Sequence, residues 1–382
     1  MSHVRRAGIA GVMAAALAAT TFVAPSTAQA SRHVIASTKA VGNPESEGLG
    51  NVAVRPNGRA ALVLSSAGLT KYAISGTSVR RLGTTKIWKD DYANRPQVHI
   101  HPGGAIAYVV WDKAIRVFDI TGSKPRAIRT VQLDEIFGDR STFAWEGEFA
   151  ADGQHFYILG DNWLQVLDTG HPGRPTRGRG LATADGVRVE SLSLTPNGAA
   201  LAVGGAAEER ARILLYSLKN SAAPVLARQG VLGVAGWTAD SSTFVDGLVA
   251  RNDQIYVGVA TWRESRDAHE TVLLRVRRSD LAVVGQVNEG EDGSPSLPRS
   301  RPGGGLVYLT YGHTSDEAVH QPQHLVRANP KLGATHALTG VGDIAHFAVS
   351  PGGRTKGLLA VIVRTGTGTS ATGLIFKLVN PR

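Results

Sequence analysis

Past the first thirty residues, apolar and polar positions alternate in short runs. Ile106-Ala107-Tyr108-Val109-Val110, Ile115-Arg116-Val117-Phe118-Asp119, Leu164-Gln165-Val166-Leu167-Asp168 and Leu306-Val307-Tyr308-Leu309 are typical. Each run is rich in β-branched and aromatic residues and is bounded by Gly, Pro, Asn or Asp, the grammar of strands joined by tight turns. No sustained 3.6-residue periodicity follows residue 30, so no long helix is predicted.

The turns repeat. A Pro/Ala-Asn/Asp/Gly-Gly turn stands at Pro56-Asn57-Gly58, Pro102-Gly103-Gly104, Ala151-Asp152-Gly153 and Pro196-Asn197-Gly198. It returns as Arg251-Asn252-Asp253, Pro302-Gly303-Gly304 and Pro351-Gly352-Gly353, at intervals of 45–55 residues. A strand repeat of about 50 residues predicts a radial array. In each unit a short strand precedes the turn, a β-rich strand follows it, and a third and a more polar fourth strand complete it, as in Ala127 to Leu133 or Val225 to Val231. The last unit stops after its third strand, Leu374 to Val379, while Val34-Ile35-Ala36-Ser37-Thr38 stands alone ahead of the first unit. Pairing the two closes the ring and removes the edges an open array exposes. The expected fold is all-β: a seven-bladed β-propeller of four-stranded antiparallel blades, closed by the N-terminal strand of the mature chain.

The stretches AYVVWDKAIRVFDITGSKPRAIRTVQL (residues 107–133) and FYILGDNWLQVLDTGHPGRPTRGRGL (156–181) resemble the YVTN, LVIVD and WD40-like repeats of bacterial β-propellers, the lactonase-like superfamily among them. The resemblance implies the propeller fold. It also implies either a binding scaffold or a lactone hydrolase working in the central channel, sometimes with calcium.

The amino terminus carries an address. Arg5-Arg6, the apolar run Ala7 to Ala24 and the small-x-small motif Ala28-Gln29-Ala30 read as a secretory signal peptide cleaved near Ala30. This gives a 1–30 signal segment, a single propeller over 31–382, secretion, and no membrane span after cleavage. There is no cysteine, which excludes disulfide scaffolds, thiolate metal sites and cysteine nucleophiles.

The net charge is +10. The propeller connectivity sorts it into two faces. Acid clusters such as Asp134, Glu135 and Asp139, Glu208 and Glu209, or Glu289, Glu291 and Asp292 go to the upper loops. Arg55, Arg59, Lys124, Arg126, Arg174, Arg177, Lys219, Arg277, Arg278 and Lys331 go to the lower ones. An acidic upper face attracts cationic groups, and a basic lower face suits anionic wall polymers. The basic residues are not interleaved with aromatics, so nucleic-acid binding is not expected.

Five positions before each turn lie Asn51, Gln97, Glu146, Ser191, Asp246, Leu297 and His346, with His99, Glu148, Glu190 and Arg299 close by. These positions fall at the mouth of the innermost strands, facing the channel. Asn51, Gln97, Glu146, Glu190, Asp246 and His346 are the candidate ligand-binding residues. Oxygens of Glu146, Asp246 and Asn51 suit a hard cation, with Ca2+ the candidate. Clustered carboxylates also push one another's pKa values apart, which suits acid–base work, with His99, His346 and Glu148 as catalytic candidates. The plain alternative is that channel-lining positions are polar because they are wet. A second cation candidate, His313, Asp316, Glu317, His320 and His324, is interrupted by Pro322. No Gly-x-Ser-x-Gly elbow or phosphate loop is present. Trp88, Trp145, Trp163, Trp237 and Trp262 fall near upper loops, where indole rings stack on ligands or pad the gaps between blades.

The sequence therefore points to a secreted monomeric propeller that engages a ligand, or a protein or cell-envelope partner, through its acidic upper face and channel. The alternative is a lactonase-type hydrolase with its site in the channel.

Overall fold

The computed structural model describes residues 33–39, 51–87, 96–111, 113–137, 144, 146–160, 163–182, 186–234, 241–263, 268–288, 296–302, 304–310, 324–353, 356–365 and 373–381. The chain parts into Met1–Ala30 and Ser31–Arg382, and the second unit is the one that follows. Among the described residues no helix is long and apolar enough to cross a membrane.

Seven four-stranded antiparallel sheets follow one another along the chain. Blade 1 is β2 (Asn51–Val54), β3 (Ala60–Ser65), β4 (Gly68–Ser75) and β5 (Ser78–Thr85). Blade 2 is β6 (Gln97–Ile100), β7 (Ile106–Trp111), β8 (Ala114–Asp119) and β9 (Arg126–Gln132). Blade 3 is β10 (Glu146–Phe149), β11 (His155–Gly160), β12 (Trp163–Asp168) and β13 (Thr176–Ala182). Blade 4 is β14 (Arg188–Leu194), β15 (Ala200–Ala207), β16 (Arg210–Ser217) and β17 (Val225–Val231). Blade 5 is β18 (Ser241–Ala250), β19 (Gln254–Arg263), β20 (Ala268–Arg277) and β21 (Val283–Asn288). Blade 6 is β22 (Ser296–Ser300), β23 (Leu306–Thr310), β24 (His324–Ala328) and β25 (Thr335–Ala337). Blade 7 is β26 (Ile344–Val349), β27 (Leu359–Thr365), β28 (Gly373–Val379) and the N-terminal β1 (Val34–Lys39).

This is a seven-bladed β-propeller, and its ring closes as the sequence predicts. β1 runs antiparallel to β28, with Ser37 opposite Lys377 and Thr38 opposite Phe376. The Asn380 N–H donates to the His33 carbonyl at 2.8 Å beyond the end of the ladder. One element departs from expectation: α1 (Leu133–Phe137) is a single helical turn after β9. Five residues are too few to show a period.

The recurring turns share one geometry. Gly58, Gly104, Gly153 and Gly198 each donate back three residues at 2.7–2.9 Å, and all four have φ between 66° and 72°. That left-handed backbone explains why glycine stands there in each unit. Blade 5 has no such glycine and turns more tightly, with Arg251 N–H on the Gln254 carbonyl at 2.7 Å.

The core lies between blades. Among the described residues the buried apolar side chains form seven clusters, and each straddles one pair of neighbours, the pair of blades 7 and 1 included. Ring closure therefore completes a core as well as a sheet. Tyrosines add hydrogen bonds across the same seams: Tyr108 Oη donates to Pro172 O at 2.8 Å, Tyr157 to Ser221 O at 3.0 Å and Tyr256 to Pro330 O at 2.7 Å. Burial pushes the phenols of all three up. Lys71, buried in β4, donates its Nζ to the carbonyls of Ile120 at 2.7 Å and Gly122 at 2.6 Å on blade 2.

Candidate functional site

The first strand of every blade lies at the channel, so its channel-side N–H groups have no ladder partner. Buried N–H groups must find acceptors elsewhere. The preceding blade supplies them. Val98 N–H donates to Asn51 Oδ1 at 3.0 Å, Leu192 N–H to Glu146 Oε2 at 2.9 Å, and Val52 N–H to His346 Nδ1 at 3.3 Å. In each case the acceptor stands five residues before its turn, and the donor stands four before the next. Blade 4 carries a bulge at Val189/Ser191 and blade 5 one at Val245/Gly247. There the acceptor shifts by one residue and the donor by two: Val245 N–H donates to Glu190 Oε2 at 2.9 Å. A second tier lies deeper: Leu194 N–H on Glu148 Oε2 at 2.8 Å and Ala250 N–H on Ser193 Oγ at 3.1 Å. Much of the polar ring is thus a set of clasps between inner strands. That is a structural demand the sequence pattern does not distinguish from a ligand set.

The candidates separate into two groups. Glu190 pairs with Arg188 at 2.7 Å and feels the charge of Asp246, which has contacts of its own. The other group is centred on Arg299. Its positive charge bears on Glu146, Glu148, His99 and His346 together. In a ring of seven, blades 2 and 3 lie opposite blade 6. A β22 side chain that acts on blades 2, 3 and 7 together must reach toward the channel axis. The Arg299 guanidinium makes one long hydrogen bond, to Pro298 O at 3.4 Å, and no ion pair among the described residues.

The four groups around it have shifted acidities. Burial pushes Glu148 up to about 7, against the pull of the Leu194 N–H and the Arg299 charge. Glu146 moves up for the same reason. Burial, then the Arg299 charge, holds His99 and His346 down to about 3, so both rings are neutral at ordinary pH. His346 Nε2 meets Asn51 Nδ2 at 3.1 Å and Nδ1 meets the Val52 N–H at 3.3 Å; a neutral imidazole has one acceptor nitrogen, so a single tautomer satisfies one of these two donors. The His99 ring lies edge-on to Phe156, and its Nε2 is buried without a partner. Gly147 allows Phe156 to lie against β10 between the two glutamates: a Cβ there would stand 2.3 Å from Phe156 Cζ.

Among the described residues no three His, Asp or Glu groups gather as a cation site. Asn51 and Glu146 each give an oxygen to a clasp, and Asp246 lies by Glu190. Gln97 is half-buried at the start of β6. His324 opens β24, while His313, Asp316, Glu317 and His320 lie outside the described residues. So do Trp88, Trp145, Trp237 and several upper acid clusters, Asp139, Glu289, Glu291 and Asp292 among them. Trp163 is buried against Phe137 between blades 2 and 3, with ring centroids 6.1 Å apart, and there it fills a gap. The tyrosine clasps are not expected from the sequence pattern. Their signal was a Tyr four residues past the turn glycine in units 2 and 3.

No protein-family model matches the chain, and no curated protein does. Solved structures do match in shape. The Kuenenia stuttgartiensis hydrazine synthase chain aligns with a TM-score of 0.57 at 13% identity, over 85% of this chain and 94% of that one. The periplasmic gluconolactonase of Pseudomonas aeruginosa aligns at 0.55 and 15%, over 82% and 87%. The Dos1 propeller aligns at 0.58 and 11%, over 88% and 93%. At these identities the likeness is one of fold, and propellers of this fold serve unrelated functions.

Proposed function

We propose that the chain is a secreted binding propeller that holds a small anionic ligand in its central channel, with Arg299 as the anchor. One observation supports this above the others: a guanidinium near the axis, without an ion pair among the described residues, ringed by groups that are easily neutral. Arginine presents a fork matched to carboxylate or phosphate. The neutral rings of His99 and His346 and a protonated Glu148 can donate or accept hydrogen bonds without repelling an anion. A partner on the acidic upper face remains part of the proposal.

The test is thermal melting of the mature protein with gluconate, citrate and phosphate. A ligand that binds only the folded state at about a hundred times its dissociation constant adds ~2.7 kcal/mol. A saturable rise in melting temperature that disappears in Arg299→Gln supports the proposal. A rise that persists in the variant sinks it.

A second reading, a lactonase-type hydrolase, is favoured by Glu148. A carboxyl near 7 can serve as an acid or a base at neutral pH, whereas histidines held near 3 are weak bases. Lactone hydrolysis lost by a hundredfold or more in Glu148→Gln would favour this reading.

A further inference from the structure

We propose that the outer rim of blades 1–4 docks an extended phosphodiester polymer of the cell envelope, one without nucleobases, along a belt of arginines. The outermost strands β5, β9, β13 and β17 carry Arg80, Arg81, Arg129, Arg177, Arg179 and Arg228, all exposed. None of the six has an ion pair among the described residues. Arg126, also on β9, pairs with Asp119 at 3.0 Å. No outermost strand of any blade contains an Asp or Glu. Every carboxylate that lies in a strand belongs to a first or third strand.

Four of the arginines also sit beside one recurring irregularity of the sheet. Each of the four outer strands bulges opposite the same level of its neighbour: at Lys71/Tyr72, Val117/Phe118, Gln165/Leu167 and Leu215/Tyr216. Arg81, Arg129, Arg177 and Arg228 flank those bulges, one per blade: Arg81 and Arg177 pair with the residue after the bulge, Tyr72 and Leu167, and Arg129 and Arg228 with the residue before it, Val117 and Leu215. Bulges and charges both blunt a sheet edge against pairing with another strand. Edge protection alone, however, needs no particular sign of charge. It also does not need arginine rather than lysine, and these four strands hold no lysine.

A row of forked guanidiniums of one sign fits a chain of phosphates, which each can engage bidentately. The occupant is further narrowed by what the rim lacks. No outermost strand carries Phe, Tyr or Trp, so nothing there stacks on bases, the usual second component of single-stranded nucleic-acid binding. This belt is separate from the channel, and its test is independent of Arg299.

The experiment titrates the mature protein with poly(glycerol phosphate), across a salt series, by fluorescence anisotropy. Single-stranded DNA of matched charge is the control polymer. The rim variant is Arg81→Ser, Arg129→Ser, Arg177→Ser and Arg228→Ser together. The matched variant removes four charges from connections between third and fourth strands: Arg174→Ser, Lys219→Ser, Arg278→Ser and Lys331→Ser. Both variants are checked for an unchanged melting profile, and if the rim variant fails to fold, the corresponding single substitutions replace it. The expected result is at least a tenfold loss of polymer affinity in the rim variant. Its log–log salt slope should flatten by about 3, while the matched variant stays near the parent. Equal losses in both variants would reduce the effect to net charge and overturn the proposal, as would an unaffected rim variant. DNA bound as tightly as the polymer would overturn the choice of partner.

Discussion

The backbone N–H of Leu194 donates to Glu148 Oε2 at 2.8 Å, so the carboxyl that faces the channel from blade 3 also holds the inner strand of blade 4 in place. Structural and chemical roles coincide in one side chain. Substitutions here need a replacement that keeps the acceptor, and glutamine does so while removing the titration.

Glu148 should leave a signature in the pH dependence of stability. Its folded pKa is raised to about 7, above the ordinary carboxylate range. Between those values the unfolded chain has lost its proton and the folded chain keeps it, so stability from this group falls as pH rises through that window. Glu148→Gln abolishes that fall. The melting temperature of the variant, measured relative to the parent, should therefore rise from pH 5 and level off above about pH 7. His99 and His346 act in the opposite sense: with folded values near 3, they cost stability as pH drops below about 6.5, because the unfolded chain takes up the protons first. A variant-to-parent difference that stays constant with pH would contradict the placement of Glu148.

Ring closure carries a measurable share of the stability. Val34, Ile35 and Ala36 of β1 pack against the clusters of blades 6, 7 and 1. Burying side chains of this size to about half their extent contributes about 2–4 kcal/mol. Removing the mature chain through Lys39 should lower the melting temperature by several degrees. It should also expose the β28 edge, which light scattering on heating would register as earlier aggregation. A truncated chain that melts and scatters like the parent would argue against closure by β1.

The tyrosine clasps can be tested one at a time. Tyr108→Phe keeps the ring in its cluster with Phe149 and Phe156 and removes only the bond to Pro172 O. Denaturant unfolding should show a loss of about 1 kcal/mol, the net worth of one such bond with a carbonyl left unmet. A neutral substitution would mean that solvent reaches Pro172 O freely.

The architecture was legible because its signals are local. The turn glycines need a left-handed backbone, and the strands between them alternate over a few residues, so Pro56-Asn57-Gly58 and its repeats mark the blades directly. Even closure could be read, from one strand too many at the start and one too few at the end. The site was legible only in composition. That Asn51, Glu146 and His346 are polar is visible in the chain. That they accept N–H groups from the next blade is not, since those bonds join residues 46 or more positions apart. Arg299 lies two residues past Leu297, the apolar member of the ring. Its reach across the channel depends on the closed circle rather than on its neighbours in sequence. The rim was likewise hidden: that Arg81, Arg129, Arg177 and Arg228 each stand beside a bulge shows only in the strand pairing.

The most direct test of the central claim is a calorimetric titration of the mature protein with gluconate and citrate, run in parallel on Arg299→Gln, at pH 6 and pH 8. The expected result is a saturable single-site heat in the parent, weaker at pH 8, where Glu148 is ionised, and absent in the variant. No heat in the parent with either anion, or the same isotherm in the variant, would contradict an anion held on Arg299.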